Sequence, residues 1–167
     1  MLRKVNIVGL TVDEEANAPV LVLKTEETDQ TIPIWIGLLE ATAIASALQK
    51  IQFDRPMTHD LFKNFIRAMN AEVTRIDICD LKNNTFFAKL YFSAGDQEFA
   101  MDSRPSDAIA LSVRFQAPIY IDEKVIETLS SGDTAKTYEM ADESEEGKKW
   151  ADYLEKLSPD DFGKYKV

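Results

Sequence analysis

The sequence predicts an α+β domain of two β-β-β-α-like halves, whose strands form a mixed or antiparallel sheet packed with helices, followed by an amphipathic C-terminal helix. Short β-branched runs separated by polar turns give way to helix-spaced segments. That succession occurs twice, each time as three strands and then a helix. The apolar content, 45% of 167 residues, is enough to bury one core without disulfide or metal staples.

Val5 to Val12, Pro19 to Lys24 and Thr31 to Ile36 read as the first three strands, with turns at Glu14 to Asn17 and Glu26 to Asp29. After Gly37 the pattern becomes Leu38, Ala41, Ile44, Ala45, Leu48, a helix whose alanines favour close packing and burial. A second helix follows Arg55-Pro56-Met57-Thr58, with Thr58 as N-cap and Leu61, Phe62, Phe65, Ile66 and Met69 on one face against the sheet. Val73 to Leu81 and Thr85 to Phe92 form a hairpin through Lys82-Asn83-Asn84, since asparagine tolerates the positive φ of tight turns. A short strand at Phe99 to Met101 leads through Asp102-Ser103-Arg104-Pro105 into a third helix, which runs to about Gln116 and is stopped by Pro118. Ile119 to Ile121 is a last strand, followed by a helical turn through Val125, Ile126 and Leu129. Ala43-Ile44-Ala45 and Ala108-Ile109-Ala110 occupy equivalent helices of the two halves, which suggests an internal duplication.

The domain therefore covers 1–130, with an acidic linker at 131–142 and an amphipathic helix and tail at 143–167. Asp142-Glu143-Ser144-Glu145 resembles a capping box, and Trp150, Tyr153, Leu154 and Leu157 make an apolar stripe that docks on the domain or meets another subunit or protein.

Formal net charge is −10, with 29 Asp and Glu against 19 Lys and Arg. This disfavours non-specific adhesion to DNA or RNA, so a nucleic-acid role rests on a local basic patch or on metal ions. With no apolar run long enough for a bilayer span and no signal-like start, the expectation is a cytoplasmic protein that makes no membrane contact. Cys79, the one cysteine, reads as a half-buried structural thiol.

Two Arg-Pro-led helix starts concentrate the candidate chemistry. Arg55-Pro56-Met57-Thr58-His59-Asp60 places the only histidine, a carboxylate and an arginine where free N–H groups and the helix dipole favour a phosphate. The same residues also satisfy the bland account of a first-turn acid beside a surface histidine. Asp102-Ser103-Arg104-Pro105-Ser106-Asp107 repeats the lead-in, with Arg114 about two turns on. Its carboxylates either hold Mg²⁺ or Mn²⁺, which could activate water against a phosphodiester, or simply cap the helix and pair with Arg104 or Arg114. Glu40 would join Asp102 and Asp107 as a metal ligand only if the two halves bring them face to face. No Cys/His zinc spacing, glycine-rich phosphate loop or Gly-x-Ser-x-Gly elbow is present, and no organic cofactor is expected.

Ile34-Trp35-Ile36-Gly37 with Glu40-Ala41, then Arg55-Pro56-x-Thr58-His59-Asp60-Leu61, then Asp102 to Ile109 with Ala117-Pro118-Ile119, resemble the bifunctional nuclease domain family over about residues 2 to 130. The resemblance implies an α+β fold, a homo-oligomer, and nuclease activity on DNA and RNA. It makes the matching positions the site candidates: His59, Asp60, Asp102 and Asp107 for catalysis, Arg55, Thr58, Arg104, Ser106 and Arg114 for phosphate, and Glu40, Asp102 and Asp107 for metal. The alternative is a non-catalytic oligomeric binding or regulatory module, which accounts for the acidic charge more simply.

Overall fold

The computed structural model of the chain describes residues 1–131 together with 144–146 and 149. Eleven elements follow in order: β1 (Leu2–Asp13), β2 (Ala18–Thr25), β3 (Thr31–Trp35), α1 (Leu38–Leu48), α2 (Thr58–Ala68), β4 (Ala71–Lys82), β5 (Thr85–Ala94), β6 (Gln97–Ser103), α3 (Pro105–Phe115), β7 (Ile119–Asp122) and α4 (Glu123–Ser130). The fold is α+β, as expected. The linker and C-terminal helix expected beyond it lie outside the described residues, save for those few positions.

The strands form one mixed sheet in the order β3-β2-β1-β7-β4-β5-β6. Every pairing is antiparallel except that of β4 with β7. β1 and β4 thus flank β7 in opposite directions. The β4–β5 hairpin turns at Asn83 and Asn84, with φ of 49° and 60°. Both asparagines take the left-handed region that a two-residue turn requires.

The core follows from strand alternation. Leu21, Leu23, Ile32 and Ile34 from one half, and Ile76, Ile78, Ala88 and Leu90 from the other, are fully or almost fully buried. Ile44 on α1 and Ala108 and Ile109 on α3 complete this layer. Small alanine side chains on both helices allow the close approach of α1 to α3. That contact carries the sites of the two halves toward each other. α3 ends where Gln116 turns into the left-handed region at φ 58°, two residues before Pro118.

Two elements differ from expectation. α2 buries only part of its apolar face: Ile66 is inside and Phe62 partly so, while Leu61, Phe65 and Met69 are 61%, 59% and 62% exposed. The apolar arc of this helix is wider than the strip the sheet and α3 can cover. α1 likewise buries Ala41 and Ile44 but leaves Leu38 and Leu39 in solvent. The N-cap of α2 is Met57, with Thr58 the first helical residue.

Candidate active site

α1, α2 and α3 converge through their polar ends. Arg104, the residue before α3, donates from Nη1 to Glu40 Oε1 of α1 at 2.9 Å and from Nε to Asp107 Oδ2 at 2.7 Å. The other oxygen of Asp107 stands 2.9 Å from Nε2 of His59 on α2. One chain of contacts, Glu40–Arg104–Asp107–His59, therefore ties together segments up to 67 residues apart in the sequence. Burial pushes the Asp107 carboxyl upward, but the hydrogen bonds from His59 and Arg104 and the Arg104 charge outweigh it and hold the group below the ordinary aspartate value. An ionised Asp107 can only accept, so Nε2 of His59 carries the proton, and a neutral ring presents Nδ1 as its basic nitrogen.

His59 and Asp107 face a cavity of about 220 Å³, whose other walls are largely apolar, among them Phe62, Leu90, Met101 and Leu111. This is below the roughly 300–1,000 Å³ of sites that enclose whole organic ligands. The cavity therefore suits one small group, such as a phosphate or the edge of a base.

A second ion pair lies on the other side of the α2 start. Arg114, with a side chain only 6% exposed, donates from Nε to Asp60 Oδ1 at 2.6 Å. Its Nη1 donates to the carbonyls of Ala43 and Ala110 at 3.0 and 2.9 Å. Desolvation raises the Asp60 carboxyl, and the Arg114 contact, the Met57 amide and Lys63 together bring it below its ordinary value. The Met57 N–H donates to Asp60 Oδ2 at 3.2 Å. The anion seat expected at this helix start is thus taken by the chain's own Asp60, and Arg114 holds three helices rather than waiting for phosphate.

The remaining candidates are spread more widely. Asp102 is exposed on β6 and pairs in register with Lys89, whereas its neighbours Met101 and Ser103 pair with the buried Leu90 and Ala88. Strand alternation turns the Asp102 side chain off the face of Leu90 and Ala88, while Asp102 itself still borders the cavity of His59 and Asp107. The metal trio of Glu40, Asp102 and Asp107 does not assemble, and Arg104 and His59 already engage Asp107. Among the described residues no group of three or more His, Cys, Asp and Glu is placed to hold a metal ion. Ser106 is buried at 1% exposure, Thr58 borders the His59 cavity, and Arg55 lies in the exposed loop before α2. Cys79 is half-buried, donates toward the Phe87 carbonyl at 3.6 Å, and has its thiol pushed up by burial, as suits a structural residue.

Sequence comparison gives this cluster a context. A model of the bifunctional nuclease domain matches residues 21–132. The chain belongs to this family. Bifunctional nuclease 2 of Arabidopsis thaliana is 31% identical over 107 residues, covering 62% of this chain and 32% of the plant protein. A protein of Oryza minuta named bifunctional nuclease is 27% identical over 109 residues, with coverages of 63% and 33%. This bifunctional nuclease domain chain thus spans about a third of those plant relatives. An uncharacterized protein of Mycobacterium tuberculosis is 38% identical over 165 residues, covering 95% of the chain and 97% of its own length, so that likeness runs past the domain. No helix among the described residues is long and apolar enough to cross a membrane.

Proposed function

We propose that this chain is a nuclease that hydrolyses phosphodiester bonds of DNA or RNA at the cavity shared by His59 and Asp107. The observation that carries this reading is the His59–Asp107 contact at the wall of a solvent-connected pocket, with Arg104 bonded to the same carboxylate. Family membership supports it. Asp107 orients the imidazole and fixes its proton on Nε2, which leaves Nδ1 to accept a proton from the attacking oxygen. The resulting imidazolium can return that proton to the leaving oxygen. Arg104, bonded to Glu40 and Asp107, holds the Asp107 carboxylate in place for His59. Digestion of labelled RNA and DNA by the purified chain, with Asp107→Asn as the control, tests the reading.

The divalent ion expected from the sequence takes no step in this reading, because Glu40 and Asp107 are engaged by Arg104. Metal dependence is instead a variable of the assay, with Mg²⁺, Mn²⁺ and chelator compared. A cytoplasmic location stays part of the proposal.

One observation favours the second reading, a non-catalytic oligomeric module: Glu40, Asp60 and Asp107 are each paired with an arginine, as structural clamps would be. Absence of turnover with any metal, together with disassembly or lower thermal stability of Arg104→Ala, would select it.

Both readings include a homo-oligomer. Met57, Leu61, Phe65 and Met69 recur every four residues and are 55–62% exposed. Beside them Phe99 and Met101 are 46% and 49% exposed on β6, the edge strand of the sheet. An apolar stripe next to an open strand edge fits a second copy of the chain.

A further inference from the structure

On the far side of the α2 start from the His59 cavity, the loop between α1 and α2 encloses, with α2 and the end of α3, a groove of about 880 Å³. Its ionic groups are Lys50, Arg55, Lys63 and Arg114 against Asp54 and Asp60. Arg114 and Asp60 neutralise each other at 2.6 Å. Three cations then face one carboxylate, in a chain whose net charge is −10. None of Lys50, Arg55 and Lys63 makes an ion pair among the described residues. The groove is therefore a local basic patch in an acidic protein, the feature that a nucleic-acid role requires of it.

Lys63 shows the strain of this grouping. It is half-buried on α2, and burial with the Arg67 and Arg114 charges holds its ammonium below the ordinary lysine value, Asp60 pulling the other way. An anion in the groove would relieve that repulsion. The same groove carries apolar surface that a site for a bare anion does not need: Phe53 is 46% exposed and Ile51 50% exposed on its wall. Cations beside an exposed aromatic ring match a strand whose phosphates are held by charge and whose base stacks on the ring. A duplex keeps its base faces stacked inside and cannot use Phe53. The groove and the His59 cavity share no lining residue but lie on either side of the α2 start, Asp60 lining one and His59 the other.

We infer that this groove binds single-stranded nucleic acid, with Arg55, Lys50 and Lys63 on the phosphates and Phe53 under an unpaired base, and that it delivers the strand to the His59 cavity. The delivery rests on the nuclease reading; the binding does not. The test is fluorescence anisotropy in chelator, without turnover, using labelled oligo(dT) and oligo(U) of about 12 nucleotides, a DNA duplex of equal length and a poly-glutamate peptide. The single strands are expected to bind at least about tenfold more tightly than duplex or peptide, with log Kobs falling against log salt at a slope near −2 for about three phosphates. Lys63→Glu combined with Arg55→Glu should weaken binding by at least about tenfold, and Phe53→Ala by about tenfold, with unchanged circular dichroism and melting. A preference for RNA or DNA between the two single strands identifies the natural ligand. Equal binding of duplex or poly-glutamate, or parental affinity in the charge-reversal variant, overturns the inference. Binding in chelator with no cleavage under any metal supports the groove and removes only hydrolysis; cleavage that survives loss of groove binding removes only the groove.

Discussion

The carboxylate of Glu40 folds back over Gly37, so that a β-carbon on Gly37 would collide with Oε2 of Glu40. Gly37 has φ −73° and ψ 162°, an extended conformation open to any residue. The demand for glycine is therefore made by the Glu40 side chain and not by the backbone. Gly37→Ala is expected to keep its stability within about 1 kcal/mol, because the far end of a flexible side chain can move aside. It should also displace Glu40 from Arg104, and if Glu40 holds Arg104 on Asp107, both Gly37→Ala and Glu40→Gln are expected to slow cleavage to a similar extent. Thermal unfolding and a nuclease assay on the same samples check both halves; full activity in Gly37→Ala would show that Glu40 need not stay on Arg104.

Arg114 predicts the largest loss of stability. Its buried guanidinium bonds Asp60 and two carbonyls, joining α1, α2 and α3. Arg114→Ala leaves Asp60 without its cation and the Ala43 carbonyl without this donor, and should cost about 3 kcal/mol by urea denaturation. Arg114→Lys should recover little, since an ammonium lacks the planar fork. Combined with Asp60→Asn, the loss should be clearly less than additive.

The fold was legible where a local rule decides it. Asn83-Asn84 between two apolar strand runs specifies a hairpin, and Pro118 three residues after the end of α3 specifies a stop; both stand in the structure. The site was legible only in part. Asp102 and Asp107 read as one acidic motif, but β6 ends between them, and alternation along the strand turns the Asp102 side chain off the face of Leu90 and Ala88. The contact of His59 with Asp107 spans 48 residues and arises from the packing of α2 on α3, which no local pattern records. Lys63 was invisible as a site residue, because a lysine on the polar side of a helix looks the same whether it faces solvent or other cations. The outer stripe of α2, expected against the sheet, stands in solvent, because periodicity shows which residues share a face and not how much of that face a neighbour covers.

Acid should weaken the fold through Asp60 and Asp107. Both carboxyls are held below their ordinary values in the folded state. The unfolded chain then binds more protons in that range, so stability rises with pH there. This contribution is complete above about pH 4, where unfolded aspartates ionise, and is lost as pH falls through the lower folded values. Unfolding free energies measured from neutral pH downward should drop below about pH 4, and Asp60→Asn with Asp107→Asn should flatten that drop. A parent whose stability is unchanged on acidification would contradict the pairings.

Assembly should depend on the uncovered face of α2. Phe65 is 59% exposed, so Phe65→Glu should leave the fold intact while separating the copies. Sedimentation of the parent should show an oligomer and that of the variant a monomer. A monomeric parent at micromolar concentration would remove the oligomer from both functional readings.

The most direct measurement is cleavage of a labelled single-stranded oligonucleotide by the parent, His59→Ala and Asp107→Asn, each purified through a final size-exclusion step and assayed with Mg²⁺, Mn²⁺ and chelator. Cleavage that co-elutes with the parent and falls at least about 100-fold in both variants, with oligonucleotide binding and circular dichroism retained, is the predicted result. Variants that digest the strand as fast as the parent, or activity that elutes apart from the protein, would contradict the assignment of His59 and Asp107 as the cleaving pair.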